Sequence, residues 1–285
     1  MSDLKPDQVP NLKTLLDGIE PLRSAKILAN LAGGPSSDSW LIAVGEDQLV
    51  ARVDKPLARL LDLDRHAELE VLQLVSSAGV GPEVIWADPE DGILITSYLP
   101  GEAWSAEDVH DPLKLQALAD TLRRLHSLPP RGPVFAPEKA ARVYARAAGT
   151  DRAKQIAEQV ATLAKELWVK ASHPTLCHND LVHTNIIGNL VSHGTVGLID
   201  WEYAAVGDPL FDLAVVVRHH HLQTELAEVF LGAYFQSTGK KHIEKIQTHC
   251  RLYDLLAALW YLSVVNQPGH DVLYDNELSR VINRL

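Results

Sequence analysis

A Leu99-Pro100-Gly101 step divides this chain into two stretches whose apolar residues repeat with different periods. Proline and glycine together end regular structure, so a joint between unlike architectures belongs there. Before it lie short β-branched runs and turn signals. Gly33, Gly34, Ser36 and Ser37 mark a turn between two strands within Ala29–Ala43, and Gln48–Val53 is a further strand. Val84–Ala87 and Ile93–Tyr98 are strands joined by an Asp91-Gly92 turn. Asp64–Ser77 carries Ala67, Val71, Leu74 and Val75 at helical spacing and stops at Gly79. Beyond the joint the period becomes helical. Leu115, Leu118, Leu122 and Leu125 form one stripe. Ala140–Lys170 is helical with a break at Gly149-Thr150, and Leu210–His221, Leu226–Phe235 and Ile246–Val265 are helices. Two short apolar segments, Thr184–Ile187 and Val196–Ile199, interrupt them around a turn-like stretch. The pattern predicts an α+β chain, sheet-rich over 1–98 and mostly helical over 99–285.

Composition narrows the function classes. Lys plus Arg total 26 against 37 Asp plus Glu, a formal net charge of −11, with no basic run. Nucleic-acid binding needs clustered cations to neutralise phosphates, so that class is disfavoured. An acidic chain suits a cationic small molecule better. No stretch reaches the roughly 18 apolar residues of a membrane span. Two cysteines, Cys177 and Cys250, make no disulfide scaffold and fit a reducing cytoplasm. The N-terminal segment lacks an apolar signal core.

The chemistry concentrates in Cys177-His178-Asn179-Asp180-Leu181-Val182-His183-Thr184-Asn185 and in Leu198-Ile199-Asp200-Trp201-Glu202-Tyr203. Phosphoryl transfer needs a carboxylate to orient and help deprotonate the attacking hydroxyl. It also needs a second carboxylate and an amide oxygen to hold magnesium on the phosphates. Asp180 and Asn185 have the spacing of a base and a metal-binding Asn on one loop. Asp200 ends an apolar run and can point at metal without a flexible tether. Only eleven residues separate Asp200 from Asp212, and no APE motif follows, so a small acceptor is favoured over a polypeptide. His219, His220 and His221 read as a solvated or cleft-edge helix face, because adjacent helical residues point apart. Cys177 and His183 read as structural, since zinc needs more convergent ligands.

These stretches, with the Gly207-Asp208-Pro209-Leu210-Phe211-Asp212-Leu213-Ala214 that follows, resemble the choline/ethanolamine kinase and aminoglycoside phosphotransferase group. The Asp-Trp-Glu-Tyr form is most similar to bacterial choline kinases. The resemblance runs from about residue 25 to the C-terminal helices. It implies a two-lobed protein-kinase-like fold, an antiparallel N-lobe sheet with one main helix, a mostly helical C-lobe, and ATP and Mg2+ as cofactors. It implies Asp180, Asn185 and Asp200 as catalytic residues, the last two on magnesium, and Asp212 as a brace for the catalytic loop. It assigns Arg52, Glu68, Ser36, Ser37, Ser97 and Tyr98 to the nucleotide, with Arg52 standing where a kinase carries lysine. The acceptor side falls to Asp180, Tyr253 and Trp260, with Glu202 as opposing charge. Where the group often has a second Trp, this chain has Ala257. The implied activity is transfer of the ATP γ-phosphate to a hydroxyl of an amino-alcohol such as choline or ethanolamine. Thiamine, amino sugars and aminoglycosides are the rival acceptors. A silent kinase-like binding protein is the rival class, which Arg52 alone favours. The implied partner is a small hydroxyl acceptor, with neither nucleic acid nor membrane insertion.

Overall fold

Alternation of apolar and polar residues builds the first unit as a five-stranded antiparallel sheet. The strands are β1 (Lys26–Leu31), β2 (Ser37–Val44), β3 (Asp47–Asp54), β4 (Val84–Asp88) and β5 (Ile93–Ser97), in the order β1-β2-β3-β5-β4. The computed structural model describes residues 9–31, 33–168, 173–188 and 196–285. The segment 1–8, the end of the helix expected to reach residue 170, and most of the turn-like stretch before Val196 lie outside the described residues. The Gly92 turn between β4 and β5 has φ +65, and a Cβ there would meet Asp54 at 2.6 Å, so glycine is required.

Helix α1 (Val9–Gly18) covers one face of the sheet, and α2 (Pro56–Leu60) and α3 (Arg65–Ser77) follow β3. Asp64 caps α3, its Oδ1 accepting from Ala67 N–H at 3.0 Å. Strand β5 is buried on both faces, and its period of two separates two cores. Ile93 and Ile95 pack with Leu12, Leu16, Trp40 and Ile42, whereas Leu94 joins Val71, Leu72 and Val75 of α3 in the larger core.

That larger core continues through α4 (Pro112–His126), α5 (Pro137–Ala148), α6 (Asp151–Trp168), α7 (Pro209–His219), α8 (Thr224–Phe235), α9 (Ile243–Val265) and α10 (Leu273–Ile282). Helix α9 is the hub, packed against α5, α6, α7 and α10. The expected break at Gly149-Thr150 is a turn: Gly149 is left-handed at φ +67 and Thr150 Oγ1 accepts from Ala153 N–H. Between α6 and α7 lie four short strands, β6 (Thr175–Cys177), β7 (Ile186–Ile187), β8 (Gly197–Leu198) and β9 (Ala205–Gly207), paired β6 with β9 and β7 with β8.

The expectation of helix to His221 needs correction. Helix α7 ends at His219, His220 leaves helical geometry, and His221 is left-handed at φ +53. No described helix is long and apolar enough to cross a membrane.

Candidate active site

Asp180, Asn185 and Asp200 are brought together by two tight turns that meet between β6 and β9. After Cys177 the chain turns through Asn179, whose φ is +67, a conformation that Asn tolerates better than most residues. Asp212, fully buried in the first turn of α7, holds that turn. Its carboxylate accepts from His178 N–H at 2.8 Å, Asn179 N–H at 2.7 Å and His126 Nε2 at 3.0 Å. This is the bracing role expected for Asp212, with His126 as an unforeseen partner that is itself hydrogen-bonded to Tyr234.

The His178 ring joins the turns that carry Asp180 and Asp200. Its Nε2 donates to the Ile199 carbonyl at 2.9 Å and its Nδ1 accepts from Asp180 N–H at 3.3 Å. Burial holds this imidazole below its ordinary value, so it stays neutral and keeps both bonds. Asn185 donates from Nδ2 to the Asp180 carboxylate at 2.9 Å and to its carbonyl at 3.0 Å. That leaves the Asn185 Oδ1 available as a ligand. Asp200, left-handed at φ +64, follows β8, and its carboxylate accepts from Arg52 Nη1 at 3.2 Å.

Arg52 on β3 forks onto Glu68 of α3, Nη1 to Oε1 at 2.7 Å and Nη2 to Oε2 at 2.5 Å, which is the pairing expected from the sequence. Arg65 extends the network. It donates to Glu68 at 2.9 Å, to Glu202 at 3.0 Å and through two nitrogens to Asp54 at 2.7 and 2.8 Å. Ser36 Oγ–H donates to the other Glu202 oxygen at 3.1 Å. Glu202 is therefore bonded to the Ser36 turn and to α3, rather than standing free as an opposing charge for an acceptor. The Ser36 turn is tight: a Cβ on Gly33 would meet the Ser37 carbonyl at 2.8 Å. Ser37 opens β2 opposite Asp54. Ser97 Oγ accepts from Glu83 N–H at 2.9 Å, and Tyr98 O–H donates to the Gly101 carbonyl at 3.3 Å. Ser97 thus ties the end of β5 to the segment before β4, and Tyr98 braces the joint between the two stretches.

Asp180, Asp200 and Glu202 lie in one region with Glu68 and Asp54, where Arg52 and Arg65 are the cations. Burial and the nearby Glu202 charge push Asp180 up to about 7. Asp200 and Glu202 also lie above the ordinary carboxylate range, chiefly through burial; Arg52 offsets this for Asp200, and the Asp200 charge adds to it for Glu202. Such a cluster is poised for a cation.

The Asp180 charge also reaches several phenols. Burial first, then the Asp180 charge, raises Tyr144 of α5, and burial, Tyr144 and the same carboxylates raise Tyr203. Tyr203 accepts from Trp260 Nε1–H at 2.9 Å. Tyr253 is raised by burial, with a smaller contribution from Asp180, and its hydroxyl shares a 2.8 Å hydrogen bond with His219 Nδ1. Trp260 also meets Tyr261 and Tyr274 edge-on, at 5.1 and 5.9 Å between centroids. Trp260 and Tyr253 are thus held by different partners, Tyr203 and His219.

Sequence reasoning missed Arg65, Asp54, Tyr144 and Tyr203. Tyr144 stands out as the aromatic residue in an Ala- and Arg-rich helix, a signal that was available.

A model described as the phosphotransferase enzyme family matches residues 28–247. Protein LicA of Haemophilus influenzae is 26% identical over 234 residues, 77% of this chain and 66% of that protein. Ethanolamine kinase 2 of Rattus norvegicus is 27% identical over 221 residues, 73% of this chain and 53% of that protein. The chain therefore spans from about half to about two thirds of these relatives' length. The crystal structure of choline kinase LicA from Streptococcus pneumoniae superposes with a TM-score of 0.76 at 22% identity, over 97% of this chain and 98% of that one. That likeness establishes the two-lobed kinase-like fold.

Proposed function

This chain belongs to the phosphotransferase enzyme family, and we propose that within it the protein transfers the γ-phosphate of ATP to the hydroxyl of a small amino-alcohol such as choline or ethanolamine. One observation carries the reading. The Asp180 carboxylate accepts from Asn185 Nδ2 and lies within electrostatic reach of Tyr144 and Tyr203, while the Asp200 carboxylate accepts from Arg52. A base facing an acceptor and a carboxylate facing phosphates are the two halves of phosphoryl transfer.

The residues fit magnesium nucleotide. Asp180, Asp200 and Glu202 form a cluster of carboxylates pushed above their ordinary range, which a divalent cation relieves. Asp200 and the Asn185 Oδ1 would hold it. When bound, magnesium neutralises charge on the β- and γ-phosphates. Arg52, fixed by Glu68, presents its guanidinium to phosphate, and the Gly33–Ser37 turn offers backbone amides. Ser97 and Tyr98, at the joint, belong to the nucleotide side in this reading. Asp180 accepts the hydroxyl proton as the new bond forms, and Asn185 keeps its carboxylate aimed.

Arg52 and Glu68 should act as a unit. Arg52→Ala weakens ATP binding more than acceptor binding. Each single variant leaves a buried charge partly unpaired and the double variant leaves less, so the losses are non-additive, by roughly 0.5–3 kcal/mol. Thermal midpoints and ATP titrations of the four proteins measure this. Additive losses would mean that the pair does not act together.

The acceptor reading rests on Trp260, Tyr203, Tyr144 and Tyr253, which supply aromatic faces near Asp180 for a cationic head. A cation over such a face gains roughly 0.5–2 kcal/mol, so Trp260→Ala should raise the acceptor KM by roughly two- to thirty-fold with the ATP KM nearly unchanged. Trp260→Phe falls between. An unmoved acceptor KM in a folded variant would favour an uncharged acceptor such as a sugar hydroxyl. A cytoplasmic location is part of the same reading, since ATP and two free thiols, Cys177 and Cys250, suit a reducing compartment.

A further inference from the structure

We propose that His183, His219 and His220 form a binding site for Zn2+ beside the catalytic loop. On a continuing helix His219 and His220 would face apart. Helix α7 ends at His219, however, and the chain turns through His220 into left-handed His221. The turn sets the His219 and His220 rings edge to face, 4.8 Å between centroids. His183, on the turn that separates Asp180 from Asn185, brings a third ring to 6.4 Å and 5.8 Å from them. One nitrogen of each ring lies within 4.8 Å of the other two.

The hydrogen bonds leave a ring nitrogen of each residue available. His220 donates from Nε2 to the Leu181 carbonyl at 2.9 Å, which leaves a lone pair on Nδ1. His219 uses Nδ1 with the Tyr253 hydroxyl and keeps Nε2. Anchoring one nitrogen to a carbonyl or hydroxyl and offering the other is the usual arrangement of a metal-binding imidazole. No hydrogen bond among the described residues holds the His183 ring. A tetrahedral zinc sits about 2.0–2.1 Å from each nitrogen, so nitrogens up to 4.8 Å apart must close by up to about 1.5 Å. His183 is partly exposed and opens the short 3-10 turn His183–Asn185, and among the described residues no hydrogen bond opposes movement of its ring. Glu107 and Asp108 face His183 and offset added positive charge. Burial keeps His219 and His220 below the ordinary imidazole value and therefore unprotonated at neutral pH. The other histidine-containing group, His126, Cys177 and Asp212, has no such freedom, because Asp212 is already bonded to His126 and to the catalytic turn.

A metal here would tie the catalytic loop to α7 and, through Tyr253, to α9. The test uses the full, untagged chain with excess Mg2+ present to occupy the carboxylates. Zn2+ is titrated by calorimetry, and Co2+ is followed by its visible spectrum. One equivalent should bind with a rise in thermal midpoint, and Co2+ should give the intense bands of a tetrahedral nitrogen site. His183→Gln should weaken binding by about tenfold or more while its own midpoint without metal stays near that of the parent. His66→Ala, which removes an exposed histidine elsewhere, should change nothing. Absence of one-equivalent binding, or binding that His183→Gln leaves intact, overturns the proposal. A weak octahedral cobalt spectrum would place the ion on the carboxylates and overturn it equally.

Discussion

Replacing Asp200 by alanine is expected to abolish turnover at every magnesium concentration and to leave the protein folded. Its carboxylate follows β8, its side chain is about one-third exposed at 36%, and among the described residues it accepts one hydrogen bond, from Arg52. Removing it leaves no core cavity, so little stability is lost through packing. The backbone adds one cost. Asp200 is left-handed, a conformation that Asp and Asn tolerate and alanine resists by roughly 1–2 kcal/mol. Asp200→Asn separates the two effects. It keeps the tolerant side-chain type, removes the charge, and should be as inactive as the alanine variant but melt closer to the parent. Steady-state kinetics across a magnesium titration, with melting curves, provide the check. Near-native turnover of either variant at any magnesium level would refute the metal role.

Asp180→Asn is expected to lower kcat by roughly 10²–10⁴-fold, the usual share of a general base, with ATP affinity nearly unchanged. The pH profile gives a second signature. Burial and the Glu202 charge raise the Asp180 carboxyl to about 7. A raised carboxyl is neutral below that value and cannot take the hydroxyl proton. The rate should therefore fall as pH is lowered through about 7. Magnesium stabilises the ionised form and should move this limb to lower pH, and the Asn variant should lose it. A collapse of ATP affinity with an unchanged rate per bound complex would instead assign Asp180 to the nucleotide side.

Much of this site is local in sequence and was legible for that reason. Asp180 and Asn185 share one loop, and Asp200 ends an apolar run. The fold class followed from the change in period at Leu99-Pro100-Gly101. What escaped is what only the tertiary fold brings together. Arg65 and Glu202 are 137 residues apart, and Ser36 and Glu202 are 166 apart, so no spacing rule ties Glu202 to the Ser36 turn. Tyr144 and Trp260 converge from different helices on Tyr203. Strands β6 and β9 have three residues each, too few for alternation to register. Helices α1 and α10 are amphipathic but were not drawn from the sequence. The early end of α7 also escaped, because no glycine or proline marks it. The helical reading set His219 and His220 facing apart, whereas the folded chain sets them together.

The central claim is that this chain phosphorylates a small amino-alcohol with ATP. The most direct test incubates the purified chain with ATP, Mg2+ and, separately, choline, ethanolamine, thiamine, an amino sugar and an aminoglycoside, following ADP and phosphorylated product by phosphorus NMR. The account predicts stoichiometric ADP and a phosphomonoester with choline or ethanolamine, well above the other acceptors and absent in Asp200→Asn. ATP binding without product from any acceptor would contradict it and identify a silent binding protein.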